Sequence, residues 1–357
     1  MKRLTYISLL VLAVSCGKAA PVSDDNAWVN DESQRVPVLF GASKADVAQS
    51  KAIQSGLISG SVMKGLDVGV IGVAEKDVEN PEAVVTWGKE TEGTVLIDNR
   101  MVTTSATGTI NFSPAVYYPY RNQYAYTFYS YYPYENAAGE TASFADGAYS
   151  ITYELGDTDI LWAKSAATDY EKGGKVFSGF NAAYCRAVKQ DGRESEFFPK
   201  LQYSHLLTAL VFRVVGKESD IVNFKVRVNG IQLTDTYTSA KLCIADNQGE
   251  KSGVLTGIEK GNIGPADLDV KPTDKETDAC TILAMPAGSY NAELTISNDN
   301  IKEKPISLTI GDGSTVYKAG YIYYFTVTVN TPEKVTIVET GLTEWKPGTN
   351  PTPGTEI

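Results

Sequence analysis

Apolar residues recur at every second position through most of the chain. Val36, Val38 and Phe40 alternate in "RVPVLFGA", and Leu210, Phe212 and Val214 do so further on. Phe224, Val226 and Val228 continue the pattern, and in "YYFTVTVN" Tyr323, Phe325, Val327 and Val329 share one side. Successive side chains of a strand point to opposite faces, so a period of two predicts strands with one buried face. "TVLIDNRMVTT", "YSITYEL", "DILWAKS", "AELTISN" and "PISLTIGD" read the same way, and "GLDVGVIGVAE" is a continuous apolar run of strand length. Turn sequences such as "PAGS", "NDN" and "GDG" separate these runs. Pro37 has no amide to donate, so the first strand should lie at an edge or start a sheet. No long amphipathic helix is predicted. "YSHLLTALVFRV" can begin with a helical turn but ends as a strand. Many short strands with polar turns predict an all-β protein of antiparallel β-sandwiches.

One stretch departs from simple alternation. "VYYPYRNQYAYTFYSYYPY", Val116 to Tyr134, holds nine tyrosines in nineteen residues. Within it Tyr124, Tyr126 and Phe128 share one face, and Ala125, Thr127 and Tyr129 the other. Tyrosine suits strands, so a central aromatic strand accounts for this part without a ligand. Pro119 and Pro133 mark loops at the strand ends. There Tyr117, Tyr118, Tyr131 and Tyr132 are candidate surface-binding residues, because an exposed tyrosine can stack on a sugar or a partner.

Charge and the two termini refine the picture. The formal net charge of the 357 residues is −11. Without residues 1–15, which carry Lys2 and Arg3, 30 basic residues face 43 acidic ones, a net of −13. Such a surface repels phosphate and argues against nucleic acid. Lys2 and Arg3 followed by "YISLLVLAV" form an export signal over residues 1–15, too short to span a bilayer. "LAVSC" ends at Cys16 and resembles a bacterial lipobox, which implies a lipid on that cysteine. Residues 16–34 read as a flexible tether, and the tail "KPGTNPTPGTEI", 346–357, as extended or disordered.

Candidate chemistry is sparse. His205, the one histidine, sits among apolar neighbours in "LQYSHLLTAL" and reads as a core or turn residue. Cys185, Cys243 and Cys280 lack a C-x-x-C spacing, so neither a disulfide framework nor a transition-metal site is expected. There is no nucleophile elbow, P-loop or dinucleotide fingerprint. No cofactor is expected and the protein is read as a non-enzyme.

Taken in order, several segments resemble the fimbrillin family, pilus-subunit lipoproteins of Gram-negative gut and oral bacteria. They are the lipobox ending at Cys16, "VPVLFG" followed by a basic residue, "YAYTFYSYYPY", "TDILWAKS", "LQYSHLLTALVFRV", "ILAMPAGSYNAELTI" and the closing "YYFTVTV" and "VTIVETGLTEWKPG". The resemblance implies two tandem transthyretin-like β-sandwich domains, at 35–198 and 199–345, and an outer-membrane, cell-surface location. It also implies proteolysis beyond a first strand at 36–42. Lys44 and Lys51 follow that strand in a polar segment open to a protease. Removing Val36, Val38 and Phe40 would open a groove that another subunit's strand could fill. The proline-rich tail is a poor strand to donate, which leaves "KVTIVETGLTEW", with Val335 and Ile337 inward, or an accessory or tip role without donation. The expected partners are other fimbrial subunits and a surface receptor or glycan. The competing reading is a monomeric, surface-anchored, glycan-binding lipoprotein.

Overall fold

A computed structural model describes residues 35–40, 44–45, 63–88, 91–119, 122–217, 225–314, 316–331 and 334–344. The strands are β1 (Lys44–Ala45), β2 (Asp67–Asp77), β3 (Val95–Thr103), β4 (Tyr124–Tyr132), β5 (Ser143–Ala145), β6 (Ala148–Glu154) and β7 (Leu161–Ala166). A small hairpin, β8 (Tyr170–Lys172) and β9 (Lys175–Phe177), precedes helices α1 (Ala182–Gln190) and α2 (Glu194–Phe197). Then follow β10 (Gln202–His205), β11 (Thr208–Val215), β12 (Arg227–Tyr237), β13 (Ser239–Asp246), β14 (Val254–Gly257), β15 (Lys260–Ile263) and β16 (Thr277–Ala284). The chain closes with β17 (Tyr290–Ser297), β18 (Lys304–Ile310), β19 (Tyr321–Thr331) and β20 (Lys334–Glu344). The expected all-β architecture is what the chain adopts.

A six-stranded sheet, in the order β1-β10-β7-β4-β2-β3, packs on a four-stranded sheet, β14-β13-β6-β5. A second pair of sheets, β16-β11-β19-β20 and β15-β12-β17-β18, encloses a separate core. Leu210, Phe212, Val214, Tyr323, Phe325, Val327 and Val329 all lie in that second core. The inward faces there are those the alternation predicts. Phe212 and Phe325 stack at 5.4 Å on the parallel neighbours β11 and β19.

The chain does not divide cleanly at residue 199. β10 pairs with β7, and the β13–β14 hairpin pairs with β6, so strands from beyond the expected boundary complete the first pair of sheets. Ala209, Val211, Leu283, Ile322 and Tyr324 also join the first core. They are the alternate residues of β11, β16 and β19, whose other faces line the second core. That sheet is buried on both sides, which explains the nearly continuous apolar run of β11. Backbone bonds from Leu206 to Ile160, Leu283 to Gly156 and Gly320 to Leu207 stitch the two regions together.

Helix α1 was not anticipated. Asn181 caps it, its Oδ1 accepting the Tyr184 amide at 2.9 Å, and Ala182, Tyr184, Cys185, Ala187 and Val188 form its buried side. At nine residues it holds by packing and by its cap more than by helix propensity.

β4 lies inside the six-stranded sheet, between β2 and β7, and both of its faces are buried. On one face Phe128 and Tyr126 meet Phe40, Tyr118 and Phe180. On the other, Tyr129 meets Trp162, whose indole N–H donates to the Ile244 carbonyl of β13. The Tyr131 ring lies over Gly69 of β2, where a Cβ would sit 2.1 Å from Tyr131 Cε1. Gly69→Ala should therefore lower stability by roughly 1–3 kcal/mol through overpacking. Gly341→Ala on β20, whose added Cβ meets Tyr324 at an ordinary 3.6 Å, should be neutral or slightly stabilising. Urea midpoints of the two variants check this contrast.

Candidate functional site

The segment Val36–Phe40 lies antiparallel to 116–118. The Val38 amide donates to the Val116 carbonyl at 2.8 Å, and the Tyr118 amide to the Val36 carbonyl at 3.0 Å. Pro37 faces Tyr117 between these two bonds, a position where the missing amide is not needed. Val38 is 3% and Phe40 8% exposed, whereas Leu39 between them is 46% exposed. The alternation thus points Val38 and Phe40 inward and Leu39 out, with Val36 half-buried. The Phe40 ring meets Phe128 edge-on at 5.1 Å and Phe112 at 6.0 Å. The Arg35 guanidinium covers the outer ring of Tyr117 at 5.6 Å.

This seat is made mainly by side chains. Two backbone bonds contribute about 0.5–1.5 kcal/mol each, and burying Val38 and Phe40 about 1.5–3 kcal/mol each. Phe112, Phe128 and Tyr118 form its floor. None of these three was picked out from sequence as a floor residue. Phe128 was assigned only to a core face, and nothing local to "INFSP" marks Phe112.

Lys44 and Ala45 form β1, parallel to Gln202 and Tyr203 at the edge of the six-stranded sheet. Lys51, Cys16, the tether and the tail lie outside the described residues. β20 is the edge strand of its own sheet, antiparallel to β19. Val335 and Ile337 face Val329 and Val327 and pack half-buried against the second core, while Val338 and Leu342 are 57% and 48% exposed.

The four tyrosines proposed for surface binding do not form one surface. Tyr118 and Tyr131 are buried, at 2% and 0% exposure, and this corrects the expectation for both. Tyr118 is drawn inward by its pairing with the first strand and packs on Tyr126 and Phe128. Burial, and then the neighbouring Cys185 thiol, raise the pKa of its hydroxyl. Tyr131 belongs to β4 itself rather than to the loop after it, and its hydroxyl donates to Asn99 Oδ1 at 2.8 Å. Tyr117 and Tyr132 are half-buried.

His205 Nδ1 lies 2.8 Å from Asp159 Oδ2, and both side chains are almost wholly enclosed. Asp159 was not singled out from sequence, because it lies in the loop before β7, 46 residues from its partner on β10. Cys185, Cys243 and Cys280 are free thiols, and burial pushes Cys185 and Cys280 up to about 12. Such thiols are poor nucleophiles. Among the described residues no group of three His, Cys, Asp or Glu side chains could hold a metal, and no helix is long and apolar enough to cross a membrane.

The fimbrillin-like family matches this chain over residues 74–345. A candidate cell adhesion protein of Bacteroides uniformis is 17% identical, with a TM-score of 0.48 over 88% of this chain and 100% of its own. A second, from Bacteroides ovatus, is 14% identical, with a TM-score of 0.46 over 88% of this chain and 99% of its own. A fimbrial protein of Bacteroides ovatus is 12% identical, with a TM-score of 0.32 over 83% of this chain and 49% of its own. No curated protein matches significantly.

The buried Asp159–His205 pair gives a stability test. Asp159→Ala should cost about 1–3 kcal/mol, since it removes one end of the buried hydrogen bond between Asp159 and His205 Nδ1. Asp159→Asn, which keeps an oxygen facing Nδ1, should lose clearly less. Urea denaturation followed by tryptophan fluorescence reads both, and equal losses would refute the pairing's role.

Proposed function

The chain belongs to the fimbrillin-like family, and on that premise we propose that it is a fimbrial subunit assembled by protease-triggered strand exchange and serving in adhesion at the cell surface. The observation that carries this reading is the seat of Val36–Phe40. Its inward side chains are buried, and among the described residues two backbone bonds tie it to the 116–118 segment. Cleavage after Lys44 or Lys51 would sever it from the fold. Its departure would bare Phe112, Phe128 and Tyr118 together with the unpaired backbone of 116–118, which is a template for an incoming strand.

The incoming strand must offer two apolar side chains two residues apart. Val335 and Ile337 of β20 have that spacing. β20 lies at a sheet edge, so it can leave its seat without breaking a strand pair on its outer side. A donated β20 makes a head-to-tail contact that does not close on itself, so the product is a filament. The alternative is a subunit that accepts a strand and donates none, which would end a filament at an accessory or tip position. Export with a lipid on Cys16 would hold the uncleaved subunit at the outer membrane until the protease acts.

The full chain should be treated with a trypsin-like protease and followed by mass spectrometry and gel electrophoresis without boiling. A new N-terminus at Ala45 or Ala52, with a ladder of polymers, is the expected result. Lys44→Ala combined with Lys51→Ala should leave the chain intact and monomeric. A ladder that forms equally from the doubly substituted chain would sink the proposed trigger. A chain clipped at these sites that stays monomeric at high concentration would sink self-assembly by β20.

A further inference from the structure

A cleft of about 530 Å3 opens between β3 and the β5–β6 hairpin, lined by Asp98, Asn99, Tyr134, Thr141, Phe144 and Tyr149 among others. Its size falls within the roughly 300–1,000 Å3 typical of small-molecule sites. β3 is the outermost strand of the six-stranded sheet and β5 the outermost of its partner, so pairing leaves this side of the sandwich open.

A β-bulge shapes the cleft. Val70 pairs with Arg100 and Gly72 with Ile97, so Asp98 and Asn99 together oppose the single residue Ile71. Asn99 takes a φ of 41°, in the left-handed region that asparagine tolerates better than most residues. Bulges of this kind re-aim side chains. Here Asn99 is fixed on two sides, donating to the Ala142 carbonyl and accepting from the Tyr131 hydroxyl, each at 2.8 Å. That leaves it one N–H and one lone pair. Asp98 Oδ1 accepts from the Tyr149 hydroxyl at 2.9 Å, and Oδ2 is not engaged among the described residues. The Phe144 ring, 38% exposed, lies 4.9 Å from that of Tyr149 and lines the same cleft as the carboxylate.

These groups select a ligand class. Asp98 is the one charge among the described lining residues, so an anion is repelled. A purely apolar ligand would desolvate Asp98 without replacing its water. A sugar ring satisfies both sides, with a C–H face for Phe144 and hydroxyls that donate strongly to a carboxylate. The smaller cleft around Trp87 and Tyr129, about 200 Å3, offers no such platform, since those rings are only 7% and 3% exposed. We propose that the β3–β5 cleft binds a neutral saccharide, its C–H face on Phe144 and its hydroxyls on Asp98. This site does not depend on strand exchange and would be present in the uncleaved chain.

Saturation-transfer NMR on the full, uncleaved chain tests it, with the methyl glycosides of glucose, galactose, mannose and N-acetylglucosamine as probes. Transfer to the ring C–H protons of at least one is expected, with a Kd on the order of 1 mM. Phe144→Ala should weaken binding roughly tenfold. Asp98→Asn, which keeps an acceptor for Tyr149, should weaken it comparably, and Val176→Ala on β9 should leave it unchanged. No transfer to any probe, or transfer unaltered by both cleft substitutions, would overturn the proposal. Methyl glucosaminide is run beside them, and binding of it alone would also overturn the proposal, since Asp98 would then be holding an ammonium group. None of these outcomes bears on filament formation.

Discussion

The structure depends on one strand that never meets solvent. Every position of β4 from Ala125 to Tyr131 is buried, and the strand is hydrogen-bonded on both edges. A strand so placed needs a layer on each face. The β14-β13-β6-β5 sheet supplies one, anchored by the Trp162 indole bond to β13. The other is irregular, made of Val38 and Phe40, Tyr118, Phe180 and the buried side of α1. Because α1, the first strand and the 116–118 segment all cover the same aromatic face, the order of that layer is set by β4 rather than by their own backbone bonds.

The dense tyrosines of β4 follow from this position. Tyrosine fills a thick layer and still carries a polar tip to be satisfied. Tyr126 donates to the Gly93 carbonyl at 2.7 Å and Tyr131 to Asn99 at 2.8 Å, and Ser130 shares a 2.6 Å bond with Tyr203. Phenylalanine at the same positions would bury as much area but leave the part-buried oxygens of Gly93 and Asn99 without these donors, at a loss of about 0.5–1.5 kcal/mol each. Burial raises the pKa of these phenols and keeps them protonated as donors.

Much of this was legible in the sequence, and the exceptions share a physical cause. Period-two alternation identified the inward faces of β11 and β19 and the inward pair Val38 and Phe40, because one buried face imposes that pattern. It failed where a segment is covered on both sides or held by distant partners. Tyr118 and Tyr131 looked exposed beside prolines, yet strand pairing drew one inward and β4 extended over the other. The return of β13 and β14 to the first pair of sheets left no mark, since an amphipathic hairpin reads alike whichever core it completes. Helix α1 was hidden because "NAAYCRAVKQ" is short and stands among strands, although its apolar residues gather on one side, and its order comes from the Asn181 cap and from packing on Tyr118 and Phe180. Asp98 and Asn99 became notable only once a bulge placed them together.

On the proposed reading, the two faces of β4 would also keep assembly and recognition apart. The groove under Phe40 opens on the face bearing Tyr126 and Phe128, whereas Tyr131, on the opposite face, steadies Asn99 in the β3–β5 cleft. An exchanged strand that restores contacts with Phe128 restores the layer on its own side. It leaves Gly69, Tyr131 and Asn99 where they were, because close-packed side chains on one face do not pass through the backbone ladder to the other. A subunit that did exchange its first strand would change its neighbour without reshaping the β3–β5 cleft. The same rigidity would grade an incoming strand by volume: Ile337 at the Phe40 position would fill less of the seat over Phe112, Phe128 and Tyr118 than Phe40 does, and the remaining cavity, at about 24 cal/mol per Å3, would weaken each joint of the proposed filament.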